Sequence, residues 1–193
     1  MALLNSFNSG VAGIKTFSKS LEVIGDNIAN VNSTGFKTSK VTNQDSFVET
    51  MRAPSAANGN AGGLNGMQVG MGSTVASISQ KFTQGSLTTT AGPTDLGISG
   101  QGFFKVTDGT NTFYTRAGDF RVDDAGTLLT NGGLKVIGNP ALTTLKGVDS
   151  FSIDKKGVIT TYTAGVKATA GTISIVTFSN PNGLKREGAN LFS

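Results

Sequence analysis

The sequence predicts a mainly β protein with an N-terminal α-helix. It divides into an amphipathic heptad helix over residues 1–35, a long extended Gly/Asn-rich connector over 36–72, and a β-rich domain, sandwich or barrel-like, over 73–193. Three observations point there. Large apolar residues fall at alternating steps of three and four through the first thirty residues, and no second helical pattern of that length follows. After Ser73 the apolar residues change to period two between clusters of Gly, Asn and Asp. Glycine, at 27 of 193 residues, is near twice its usual share, which is the composition of strands and turns.

The helix is read from two interleaved series. Phe7, Ile14, Leu21 and Ile28 hold one heptad position; Leu3, Phe17, Ile24 and Val31 hold the position three residues on, where Gly10 breaks the series. Leu4 and Val11 widen the stripe, while Lys15, Lys19, Glu22 and Asp26 lie off it. The result is a coiled-coil type helix of roughly 40 Å, at about 1.5 Å per residue, whose apolar face needs a partner. Ser9, Gly10, Ala12 and Gly13 are small enough to let a second helix approach closely. The periodicity ends at the Asn30 to Gly35 segment, which supplies C-cap and turn chemistry.

Between Phe36 and Gly72 no period is sustained, and the SAANGNAGGLNG run after Pro54 offers almost no apolar surface to offset ordering. The flanking pieces near Val41 to Met51 and Met67 to Met71 read as extended segments laid against something else. Strands are then expected around Val75 to Phe82, Leu87, and Leu96 to Val106. A repeat follows at an offset of 31 residues: Phe120-x-Val122-Asp123-x-x-Gly126-x-Leu128-x-Thr130 matches Phe151-x-Ile153-Asp154-x-x-Gly157-x-Ile159-x-Thr161. Each copy predicts a strand, a tight turn opened by Asp and closed by a left-handed Gly, and a returning strand. The segment from Gly171 to Ser179 reads as the strongest strand of all, ended by Asn180-Pro181-Asn182-Gly183.

Several classes of function are disfavoured. The chain has no Cys and no His, which removes thiol nucleophiles, imidazole bases and most zinc, copper and haem sites. Gly97, Gly100 and Gly102 are followed by no helix pattern and no Lys-Ser/Thr, so they read as a turn and not as a phosphate cradle. Asp119, Asp123 and Asp124 lack calcium-loop spacing, and Asp45, Glu49, Asp95, Asp108 and Asp149 read as turn or solvent residues. No catalytic, cofactor or metal residues are expected. The net charge is +4, but the cations are scattered and Trp is absent, so nucleic acid is not an expected partner, nor is a small-molecule substrate. The first residues lack a basic n-region with a continuous apolar core, and no membrane span is expected.

Four segments together carry a family resemblance: LEVIGDNIANVNSTGFK (21–37), QVGMGSTVASISQKFTQGSLTTTAGPTDLGISGQGFFKV (68–106), FYTRAGDFRVDDAGTLLTNGG (113–133) and FSNPNGLKREGANLF (178–192). With the preceding heptad, they closely resemble the bacterial flagellar axial proteins of the hook and rod. Within that family the chain looks most similar to the short hook proteins, with the distal rod protein next. The resemblance implies a structural subunit of a helical tube, a homo-oligomer contacting neighbouring axial, junction and cap proteins.

On that resemblance the heptad face (Leu3, Phe7, Val11, Ile14, Phe17, Leu21, Ile24, Ile28 and Val31) would be a subunit interface. Asn27, Asn30, Gly35, Phe36 and Lys37 would form the helix-to-connector motif. It further implies a hook or basal-body location reached through the flagellar type III export apparatus without a cleaved signal. Phe7 and Val11 are similar to the export signal, although both also belong to the apolar stripe. In the family a second, C-terminal heptad helix pairs with the first, whereas here Leu191-Phe192-Ser193 ends the sequence. The expectation is therefore an N-terminal helix with no intramolecular partner, disordered or packed between molecules, in a chain that polymerises poorly. A secreted adhesin or fibre subunit with a coiled-coil stalk is the rival from another class.

Overall fold

A computed structural model describes residues 2–57, 59, 62–139, 142 and 145–193, with the side chains of Ala2 and Leu3 outside the description. The chain forms two compact units: residues 1–31 with 38–81, and residues 32–37 with 82–193.

In the first unit the heptad segment is one unbroken helix, α1 (Ala2–Ala29). The stretch that follows is extended, and it is also paired. Strands β1 (Ser39–Asp45) and β4 (Ser73–Gln80) run antiparallel, with Ser39 opposite Gln80 and Asp45 opposite Ser73. Between them lie β2 (Val48–Arg52) and β3 (Met67–Gly70), also antiparallel. Hydrogen bonds from Ser46 N to Gly72 O and from Met71 N to Phe47 O, each 2.8 Å, join the two ladders into one ribbon. A bridge between Ser55 and Leu64 extends it, and Asn58, Asn60 and Ala61 of the low-complexity run lie outside the described residues.

The expected lack of an intramolecular partner for α1 is corrected here. The helix is formed, and it packs on β1 and β4 of its own unit. Thr16, buried to 4% exposure, donates its Oγ1 hydrogen to Ser73 O at 2.8 Å. The half-buried Asn5, Ser9, Ala12, Ser20, Val23 and Asn27 continue the same stripe at helical spacing. Small residues do permit a close approach, but a β-ribbon and not a second helix makes it. A Cβ at Gly72 would lie 3.0 Å from the Ala12 Cβ and 3.2 Å from the Ser9 Cα.

The second unit is built on β5 (Phe103–Thr107), where Phe103 is buried on one face and Phe104 and Val106 on the other. Phe104 and Val106 point into a core with Ile98, Phe120, Leu128, Val136, Ile159, Ala170 and Ile173. Phe103 packs among Phe82, Phe178 and Phe192 at ring separations of 5.6 to 5.7 Å. On one edge β5 pairs with β6 (Thr112–Thr115); β7 (Phe120–Val122), β8 (Leu128–Thr130) and β9 (Lys135–Val136) form a meander that joins the other edge through β9. A second meander holds β10 (Ser150–Ile153), β11 (Val158–Thr163) and β12 (Val166–Thr172). Strand β13 (Ile175–Val176) also pairs with β5. A 3-10 turn at Pro181–Gly183 leads to the hairpin of β14 (Arg186–Gly188) and β15 (Leu191–Phe192), which adds to β6.

The sequence repeat is a structural repeat. Gly126 N bonds Asp123 O and Gly157 N bonds Asp154 O, both at 2.8 Å, with φ of 79° and 75° at the two glycines. Each glycine carbonyl then accepts a further N–H, from Leu145 at 2.7 Å and from Ile173 at 2.9 Å. Two expectations fail. The stretch from Gly171 to Ser179 is not one strand, because it breaks at Ile173-Ser174, where Ser174 N turns to Ile137 O. Residues 81–102 contain no named strand, and Leu87 is exposed; Gly92, Pro93 and the Thr run give neither a core face nor a continuous donor row.

Candidate subunit interface

The two faces of α1 are chemically opposite. The small and polar face lies on the ribbon, and the heptad face is open. Phe7 is 73% exposed, Ile14 71% and Val31, just beyond the helix, 75%. Leu4, Val11, Phe17, Leu21, Ile24 and Ile28 are exposed as well. The stripe predicted as an interface is thus a continuous apolar surface along one side of α1, with Leu3's side chain outside the description. Phe7 and Val11 stand on this stripe as surface residues. Soluble monomers seldom expose a contiguous apolar surface of this extent.

The helix-to-connector motif divides between the units. In the first, the Asn27 amide makes two hydrogen bonds to Ser39, donating to its carbonyl at 2.8 Å and accepting from its N–H at 2.9 Å. That imitates a β-ladder pair and fixes where β1 starts. Asn30 donates its Nδ2 hydrogens to the Asp26 carbonyl and carboxylate, at 2.9 and 2.8 Å, covering the end of α1. In the second unit Gly35 has φ +73° and its α-carbon faces the Arg116-Ala117 backbone, where a Cβ would overlap. Asn190 Nδ2 donates to Thr34 O at 2.8 Å, Arg186 stacks 5.3 Å from the Phe36 ring, and Lys37 Nζ donates to Thr83 O at 3.0 Å. Burial, and then the charge of Arg116, hold the Lys37 ammonium below its ordinary pKa.

Sequence reasoning missed a second apolar surface, on the ribbon. Phe47, 82% exposed between β1 and β2, and Leu64, in the bridge to Ser55, lie beside Val48, Met51, Met67 and Val69 of β2 and β3, strands whose residues are all open to solvent. Its signal was a set of apolar residues in a Gly/Asn-rich stretch without period. Among the described residues no group of three His, Cys, Asp or Glu side chains converges as a metal site, and no helix is long and apolar enough to cross a membrane.

The chain's relatives fit this arrangement. Residues 7–37 match the family described as flagella basal body rod protein, and residues 97–161 match the flagellar hook protein FlgE/F/G D1 domain. The flagellar basal-body rod protein FlgG of Bacillus subtilis is 41% identical over 193 residues, covering 98% of this chain and 73% of the relative. FlgG of Caulobacter vibrioides is 31% identical with the same two coverages. The flagellar hook protein FlgE of Treponema pallidum is 46% identical over 127 residues, which are 66% of this chain and 27% of that protein. An open heptad face on a helix braced by its own ribbon, followed by a β unit that carries the D1 match, places the chain by sequence and architecture together: it belongs to the flagellar hook and basal-body rod protein family of axial structural subunits.

Proposed function

We propose that this chain polymerises with copies of itself into a tubular segment of the flagellar axis, and that the segment is rod in type. The single observation behind the reading is the open heptad face of α1, set opposite a face already occupied by the protein's own ribbon. Burying one such Leu, Ile or Phe side chain contributes about 1.5–3 kcal/mol, so the stripe is a strong drive to pack against helices of neighbouring subunits. The rod is favoured over the hook by the similarity to rod proteins through 98% of this chain. A hydrogen-bonded ribbon between residues 39 and 80 also suits a stiff shaft better than a single extended strand would. The hook reading rests on the 46% identity to a hook protein over 127 residues.

In this role the partners are neighbouring axial, junction and cap subunits. Delivery is through the flagellar type III apparatus, with Phe7 and Val11 in the export signal. Torque transmission, not catalysis, is the task. The test is deletion of the gene followed by electron microscopy of purified basal bodies. Rods that stop short of full length are the expected result. Complete rods that lack a hook would move the subunit to the hook, and normal flagella on motile cells would overturn the axial role and leave an adhesin or fibre subunit.

A further inference from the structure

Lys37 and Arg116 form a concentration of positive charge that pairs with no carboxylate among the described residues of the second unit. Lys37 Nζ donates to Thr83 O at 3.0 Å, and Arg116 donates through Nη1 to Ile98 O at 3.3 Å and through Nη2 to Gly100 O. These acceptors are neutral carbonyls. The Arg116 guanidinium lies 5.7 Å from the Phe103 ring, and its Nε is buried without a hydrogen-bond partner. Phe36, the residue next to Lys37, lies under the Arg186 side chain of β14. The carboxylate on that same strand, Glu187, is engaged by Lys185 at 2.9 Å and by Ser193 Oγ at 2.7 Å. The ion pairs Lys19–Glu22 and Lys185–Glu187 include neither Lys37 nor Arg116.

Two half-buried like charges carry a desolvation cost and a mutual repulsion that neutral carbonyls only partly offset; an incoming negative charge relieves both. The pKa values of Lys37 and Arg116 are both lowered, first by burial, as that uncompensated state requires. The available donors set the shape of the ligand. Arg116 already gives a hydrogen from each Nη to Ile98 and Gly100, and its Nε is buried, whereas the ammonium of Lys37 has three hydrogens and gives one to Thr83. Lys37 is thus a compact point charge with two hydrogens left to give, suited to a single carboxylate.

We propose that Lys37, backed by Arg116, receives an aspartate or glutamate of a second copy of this chain, forming an ion pair between subunits. The inference rests on the polymer reading above. It adds a polar contact on the β unit to the apolar contact of the helix. The chain supplies such acids on exposed turns, Asp123 and Asp124 between β7 and β8 among them. In a helical homopolymer one complementary pair recurs at every subunit.

The test is zero-length carbodiimide cross-linking of polymer isolated from cells and of the same protein dissociated to monomers, followed by peptide mass spectrometry. The Lys185–Glu187 pair is the internal control, because it should link in both samples. The expected result is a peptide joined from Lys37 to an Asp or Glu in the polymer and absent from the monomer. Lys37 left unlinked in intact polymer, while the control reacts, overturns this inference and leaves the polymer reading standing. The same Lys37 link in the monomer overturns it too, because the acid would then be the chain's own. If cells yield no polymer of this protein, both readings fall.

Discussion

Ala164 and Ala189 sit in hairpin turns with φ of 49° and 48°, each followed by a left-handed residue, Gly165 or Asn190. Two consecutive positive φ values make the turn that matches strand twist, and a Cβ at the first position costs about 1–2 kcal/mol in that region. Asn190 offsets its own strain, because Nδ2 reaches Thr34 O and its carbonyl accepts from Thr115 Oγ1 at 2.9 Å. Ala164 has only the 2.7 Å bond from its N–H to Asp149 Oδ2, which any residue would keep. Ala164→Gly should therefore stabilise the protein by about 1 kcal/mol, read as a higher midpoint in urea unfolding, with no change in assembly. An unchanged or lower midpoint would show that the turn is not strained. The Asp and Gly of the repeated turns were legible in the sequence because their side-chain chemistry is local. The alanines were not, since the ladder on either side, and not the residue's own preference, sets their backbone. Gly35 lies between: its turn was legible, but the Ala117 backbone that excludes any larger residue comes from far along the chain.

At the scale of elements, the pairing of α1 with its ribbon decides which face of the helix is left over. The heptad stripe was readable because apolar spacing at steps of three and four survives whatever the helix packs on. The partner of the other face was not readable. Ser9, Ala12 and Gly13 announce a close approach without saying whether a helix or a strand makes it, and β4 is about sixty residues away in sequence. Gly72 is a point of close approach, with φ +107° and a Cβ there held to 3.0–3.2 Å of Ala12 and Ser9. Gly72→Val adds both backbone strain and a clash, and should cost about 2–4 kcal/mol. The loss should be local: amide hydrogen exchange in α1 and in β1 and β4 should speed up, while exchange in β5 to β12 stays as it was. Equal loss of protection in both units would mean that the helix is not held chiefly by this ribbon.

At the scale of the whole molecule, the exposed stripe and the stability of the subunit are separable. Ile14 and Phe17 are 71% and 67% exposed, so replacing either by Asp removes little that the free subunit uses; surface changes of this kind usually shift stability by about 0.5 kcal/mol or less. In a packed tube the same carboxylate lies among neighbouring apolar side chains. It forfeits about 2 kcal/mol of burial and adds the cost of an unpaired charge, together worth more than about a hundredfold in association. The lysines of α1 do not relieve it, since Lys15 and Lys19 lie off the stripe and Lys19 is paired with Glu22 at 2.6 Å. Ile14→Asp should therefore leave the circular dichroism spectrum and the unfolding midpoint of the purified subunit unchanged, while no sedimentable axial polymer is recovered from cells that make only this variant. Polymer recovered at the normal level would show that the stripe is not the contact that holds subunits together. A variant that unfolds as a monomer would instead mean that the stripe is covered within the subunit, and the division of α1 into an occupied and an open face would be wrong.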